Sequence, residues 1–186
     1  MEEIKQLIEG CINGDRQSQN RLYGRLAPNM FAICLRYASS REEAEEILQE
    51  GFIKVFEFIH QYKNTGPFEG WVRKIMVNCS LQKYRNKRHM HAVADIDTTK
   101  VEQIGNEEIL SQLGTKELLK MVQQLSPAYR TVFNLYVFEG MKHREIAAHL
   151  NISEGTSKSN LSDARTILQK AVHNSIQSAS QNVKEI

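Results

Sequence analysis

Residues 143–168 read HREIAAHLNISEGTSKSNLSDARTIL, and they pose a question: why does a helix open on a crowd of small polar residues? A helix bound for a protein core starts with a cap and then an apolar stripe. Here Thr156, Ser157, Lys158, Ser159 and Asn160 fill the first turn, and apolar spacing stays thin until Ile167 and Leu168. The preceding residues form a short helix of their own. Ile146, Leu150 and Ile152 give the pair a small core, and Ala147 and Ala148 keep the first helix slim at the crossing. Ser153 stands ready to cap the second helix, which Leu161, Ile167 and Leu168 hold down.

Helix, short turn and helix make the pattern of a DNA-reading unit, whose second helix turns its N-terminal residues toward the major groove. On this reading the first turn is polar because it meets base edges and phosphates. Lys158 can donate to guanine, Asn160 can bond adenine through two hydrogen bonds, and Ser157 and Ser159 suit a base or a phosphate. Thr156 belongs to the same turn, and Arg165 is placed for a phosphate. A helical hairpin with a solvated start remains the alternative for this segment taken alone.

Working outward, helical periodicity covers most of the chain. Ile4, Leu7, Ile8, Cys11 and Ile12 share one face, stopped at Gly14. A second helix is expected from about Ser18 to Tyr37, with Pro28 kinking or restarting it. Ser40 and Glu43 form a capping box before Ala44, Ile47, Leu48, Phe52, Val55, Phe56 and Ile59. The loop QYKNTGP follows, and a long helix from Phe68 to Arg88 buries Trp71, Val72, Ile75, Met76 and Cys79. Periodicity fades from His89 to Gly114 and returns with Leu118, Leu119, Val122 and Leu125. Ser126 and Pro127 then open a helix that Gly140 closes. The expected fold is all-α: two small helical domains at 1–88 and 115–175, a flexible linker at 89–114, and a polar, frayed tail at 176–186.

Composition agrees with a folded helical chain. Of 186 residues 41% are hydrophobic, and only three prolines and ten glycines interrupt them. No apolar run approaches the roughly 20 residues that cross a bilayer. The start, MEEIKQLIEG, has no signal-peptide pattern, so a cytoplasmic protein without membrane insertion is expected. Cys11, Cys34 and Cys79 read as reduced core thiols, and His89 and His91 as part of a solvated basic segment. No cofactor or metal is expected. Charge is segregated: from Trp71 to Ala94 there is no acidic residue but six of Arg and Lys, and REEAEEILQE upstream is strongly acidic.

RLYGRLAPNMFAICLRYASSREEAEEILQEGFIKVFEFIHQYKNTGPFEGWVRKIMVNCSLQKYRNKR (21–88) resembles region 2 of bacterial sigma factors of the extracytoplasmic-function group. LSPAYRTVFNLYVFEGMKHREIAAHLNISEGTSKSNLSDARTIL (125–168) resembles their region 4. The resemblance implies a specificity subunit of RNA polymerase with no catalytic chemistry of its own. Its partners would be core polymerase, at the largest-subunit clamp and the flap, promoter DNA as duplex and single strand, and an anti-sigma factor. It assigns polymerase docking to Glu46, Gln49 and Glu50. It assigns a pocket for a flipped base of the −10 element to Tyr62, Lys63, Asn64, Thr65 and Asn78. Lys83, Arg85, Lys87 and Arg88 would hold phosphates, and Asp95, Asp97 and Glu102 of the linker would follow a nucleic-acid path. Trp71 is assigned to packing. Two departures from the family pattern stand out: Lys142 replaces a capping serine, and Lys158 and Asn160 replace arginines.

Two other functions compete. A helix-turn-helix regulator that never meets polymerase leaves the acidic helix and residues 62–78 without a purpose. A sigma-like decoy that binds only an anti-sigma protein has no need for the basic run after Asn78. An enzyme is not expected, because the chain has no P-loop, no metal-ligand cluster and no recognisable triad.

Overall fold

The computed structural model describes residues 2–94 and 113–182, with side chains at 3–87 and 117–175. The chain divides into two compact units, Met1–Ile96 and Asp97–Ile186. The described residues form α-helices and one 3₁₀ turn, without strands. In the first unit these are α1 (Glu2–Ile12), α2 (Arg16–Tyr37), α3 (Arg41–Phe58), a 3₁₀ turn (Ile59–Gln61) and α4 (Phe68–Ala94). In the second they are α5 (Leu113–Gln123), α6 (Pro127–Val137), α7 (His143–Leu150) and α8 (Glu154–Asn182).

In the first unit α2 and α3 start where the sequence supplies an acceptor for otherwise orphaned N–H groups. Gly14, at φ +77°, ends α1 in a conformation that costs a residue with a Cβ. Asp15 then caps α2, accepting from the N–H groups of Gln17 (3.3 Å) and Ser18 (2.8 Å). The Ser18 hydroxyl, and after it these backbone bonds, hold the Asp15 carboxyl below its ordinary range. Of the expected kink or restart, the restart does not occur, because α2 runs unbroken through Pro28. Pro28 lies on the exposed side of the helix, where the carbonyl it leaves without a donor can turn to water.

Ser40 caps α3, its Oγ accepting from the Glu43 N–H at 3.2 Å. Leu22, Leu26, Ile47, Val55, Val72 and Met76 are almost wholly buried where α2, α3 and α4 pack together. α3 packs on α4 at Gly51, where a Cβ would overlap the Met76 sulfur. Cys11, Cys34 and Cys79 are all buried free thiols. Burial, reinforced by Cys79, pushes the Cys34 thiol up to about 12, so it stays protonated and inert near neutrality.

In the second unit Val122, Leu125, Ala164 and Leu168 form a buried cluster between α5 and α8. Pro127 sits in the first turn of α6, and Ser126 Oγ caps it from 3.4 Å. Gly140, at φ +67°, follows that helix. Two expected core positions face outward instead: Leu118 is 48% exposed and Ile167 42%. Ala164 fills the place on α8 assigned to Ile167, because it keeps three- and four-residue spacing from Leu161 and Leu168.

Two boundaries also move. α4 continues through Ala94, so residues 89–94 are helical. α8 continues to Asn182, well into the expected tail. No proline or glycine stands between Thr156 and Ile186 to stop it. The side chains of Arg88, His89 and His91, and the linker residues Asp95, Asp97 and Glu102, lie outside the described residues.

Candidate nucleic-acid interface

α7 and α8 meet through a tight turn at Asn151, whose φ of +52° and ψ of +55° are left-handed values that asparagine tolerates better than most residues. The missing serine at position 142 leaves α7 without a side-chain acceptor at its cap. Glu145 answers from the third position, its Oε2 accepting the Lys142 N–H at 2.7 Å, which is half of a capping box. Ser153 caps α8 as expected. Its Oγ takes the Thr156 N–H at 3.0 Å and lies 2.9 Å from the Thr156 hydroxyl.

The first turn of α8 divides by direction. Thr156, Lys158 and Ser159 are exposed, and Asn160 is half-buried. Lys158 makes no hydrogen bond or ion pair among the described residues, whereas Ser159 Oγ donates back to the Thr156 carbonyl at 3.1 Å. Ser157 overturns its expected role. It is completely buried, with its Oγ 3.0 Å from His143 Nδ1, and so faces α7 rather than a base. The signal was present in the spacing, since Ser157, Leu161, Ala164 and Leu168 share one helix face. Farther along, the Arg165 guanidinium lies over the Tyr136 ring, 5.5 Å from its centroid.

In the first unit the loop after α3 is built around aromatic rings. Tyr62, Phe68 and Trp71 cluster, with Tyr62 5.0 Å from Phe68 and Phe68 stacked at 5.6 Å on Trp71. The Tyr62 hydroxyl donates to the Gly66 carbonyl and closes the loop, and Asn64 takes φ +53° at its tip. Lys63, Asn64 and Thr65 are exposed, Tyr62 and Trp71 half-buried. Asn78 is exposed on α4, in line with Lys74 one turn before it and Arg85 two turns after. Lys74 belongs to the basic run, and its four-residue spacing from Asn78 puts it on the same face.

The basic run splits by the same geometry. Lys83 pairs with Glu46, and Lys87 Nζ lies 2.8 Å from Glu43 Oε1. These lysines, four residues apart, turn toward acidic α3 and pair with it. Arg85 points away and is exposed. Glu43 also accepts the Ser39 N–H at 2.7 Å. Burial works to raise the Glu43 carboxyl, but Lys87 and Ser39 outweigh it and hold the group below its ordinary range. Gln49 and Glu50 are exposed on α3, with Glu46 beside them.

The Sigma-70 region 2 family matches residues 22–90, and the Sigma-70, region 4 family matches residues 115–168. Region 2 followed by region 4 makes the chain a Sigma-70 family member. It is 30% identical over 157 residues to the ECF RNA polymerase sigma factor SigE of Mycolicibacterium smegmatis, covering 82% of this chain and 60% of that relative. It is 27% identical to the ECF RNA polymerase sigma factor SigW of Bacillus subtilis, covering 90% of this chain and 95% of the relative. In fold it is similar to the sigma factor RpoE of Bartonella quintana, solved in complex with the anti-sigma factor NepR, at TM-score 0.55 and 21% identity over 83% of this chain and 96% of that one. In sigma terms, α2–α4 carry region 2 and α5–α8 carry region 4.

Proposed function

We propose that this sigma factor binds core RNA polymerase and directs it to specific promoters, reading the −35 element as duplex and opening the −10 element. The observation that carries this reading is the outward half of the first turn of α8. There Lys158, without a partner among the described residues, stands beside Thr156 and Ser159 at the N-terminal end of a helix, where a recognition helix meets base edges. Lys158 is assigned to a base, Thr156, Ser159 and Asn160 to bases or phosphates, and Arg165 to a phosphate.

For the −10 element, the loop Lys63–Asn64–Thr65 and Asn78 form the walls of the base pocket, and Tyr62 holds that loop in shape. Lys74 and Arg85 flank the pocket along α4 as phosphate contacts. Gln49, Glu50 and Glu46 of α3 dock on the polymerase clamp, and region 4 meets the flap. An anti-sigma factor as regulator, and action in the cytoplasm, complete the proposal.

The test is open-complex formation by core polymerase with this protein on a cognate promoter, read by permanganate reactivity of unpaired thymines. Glu50→Lys should abolish recruitment of core. Asn78→Ala should recruit core and bind the −35 duplex normally, yet leave the −10 thymines unreactive. Equal loss of duplex binding and melting in Asn78→Ala would overturn the pocket.

A further inference from the structure

Beneath the recognition helix lies a small cluster that the sigma reading does not by itself require. The Tyr136 ring, at the end of α6, stacks on the His143 ring at the start of α7, with centroids 4.8 Å apart and planes inclined by 27°. His143 Nδ1 lies 3.0 Å from the Oγ of fully buried Ser157 on α8. The Arg165 guanidinium, two turns farther along α8, lies over the same tyrosine ring. Ser157, His143, Tyr136 and Arg165 thus form a continuous chain of contacts across three helices. Its only exposed member is the cation.

We infer that Tyr136 is a positioning residue for duplex binding, holding the Arg165 guanidinium ready for a DNA phosphate while His143 and Ser157 fix the ring. A guanidinium is weakly hydrated and favours an aromatic face. An arginine free to sample its rotamers loses that freedom when it binds, and one already held against a ring loses less. The ring face, not the phenol hydroxyl, supplies this contact, so phenylalanine is an adequate substitute. The inference rests on the proposed DNA contact of Arg165, and the experiment separates the two.

The full-length protein is titrated into a short fluorescein-labelled duplex of random sequence at low salt, where a phosphate contact counts whatever the bases. Tyr136→Leu should weaken binding about two- to fivefold, the range of an exposed cation–π contact, and Tyr136→Phe should not. Arg165→Gln should weaken binding and lower the salt slope by about one. In the Arg165→Gln background, Tyr136→Leu should then have no further effect. Equal weakening by Tyr136→Leu in both backgrounds would make the ring structural only and overturn the inference. An unchanged affinity and salt slope in Arg165→Gln would remove the DNA role of Arg165 itself. If Tyr136→Leu does not fold, the side-chain proton shifts of Arg165 in the unmodified protein decide: upfield ring-current displacement supports the contact, and random-coil values overturn it.

Discussion

Adjacent residues of α8 have opposite fates. A helix advances about 100° per residue, so Ser157 and Lys158 cannot both face DNA. Ser157→Ala should therefore cost about 1 kcal/mol of stability through the lost bond to His143, with base preference unchanged. Thermal melting and a −35 selection measured together would check this. Lys158→Ala should leave stability alone and cost about 1–3 kcal/mol at one or two −35 positions, seen as relaxed preference in the same selection. A uniform loss across sequences would make Lys158 a phosphate contact. The residue types at this site were legible because hydroxyls, an amide and a lysine in one turn have few uses in a core. Their directions were not, because Ser157 is polar and its membership of the Leu161–Ala164–Leu168 face shows only in the spacing. The pairing of Lys83 with Glu46 and of Lys87 with Glu43 was illegible for another reason: it depends on how two helices distant in sequence lie side by side.

Helix starts were easier to read than helix ends. Ser40, Ser126 and Ser153 each cap as their side-chain chemistry dictates, because an N-cap is a local exchange between one oxygen and N–H groups two or three residues on. α4 and α8 run past the points where their apolar periodicity fades, because fading periodicity does not by itself stop a helix that meets no breaker. The join of α3 to α4 offers a pH test. Glu43 titrates below its ordinary value in the folded protein, so its contribution is complete above the ordinary glutamate value of 4.5 and is lost as pH falls through the lowered one. Glu43→Gln should cost about 1 kcal/mol at neutral pH, with the deficit closing progressively as the solution is acidified below that value. Urea melts across this range would measure it, and a constant deficit would contradict the pairing. Where α3 packs on α4, Gly51→Ala should destabilise despite the better helix propensity of alanine, because its Cβ would overlap the end of fully buried Met76. Gly51→Ala with Met76→Ala should cost less than the two changes summed, in denaturant melts of all three variants.

At the scale of the whole chain, the division of labour follows from two separate sets of buried side chains, one around Leu22, Leu26 and Met76 and the other around Leu125, Leu135 and Ile146. Each unit therefore has a core of its own. A fragment comprising Asp97–Ile186 should bind duplex DNA without the first unit, and Met1–Ile96 should bind core polymerase without the second. The all-α class and the two-part organisation were legible from periodicity and its interruption, since both depend on local pattern. The measurement that tests the central claim most directly is run-off transcription with sigma-free core polymerase, this protein and a genomic promoter library. The account predicts discrete start sites sharing two upstream elements, with Asn78→Ala losing the transcripts while retaining core binding. Transcripts no different from those of core polymerase alone would contradict it.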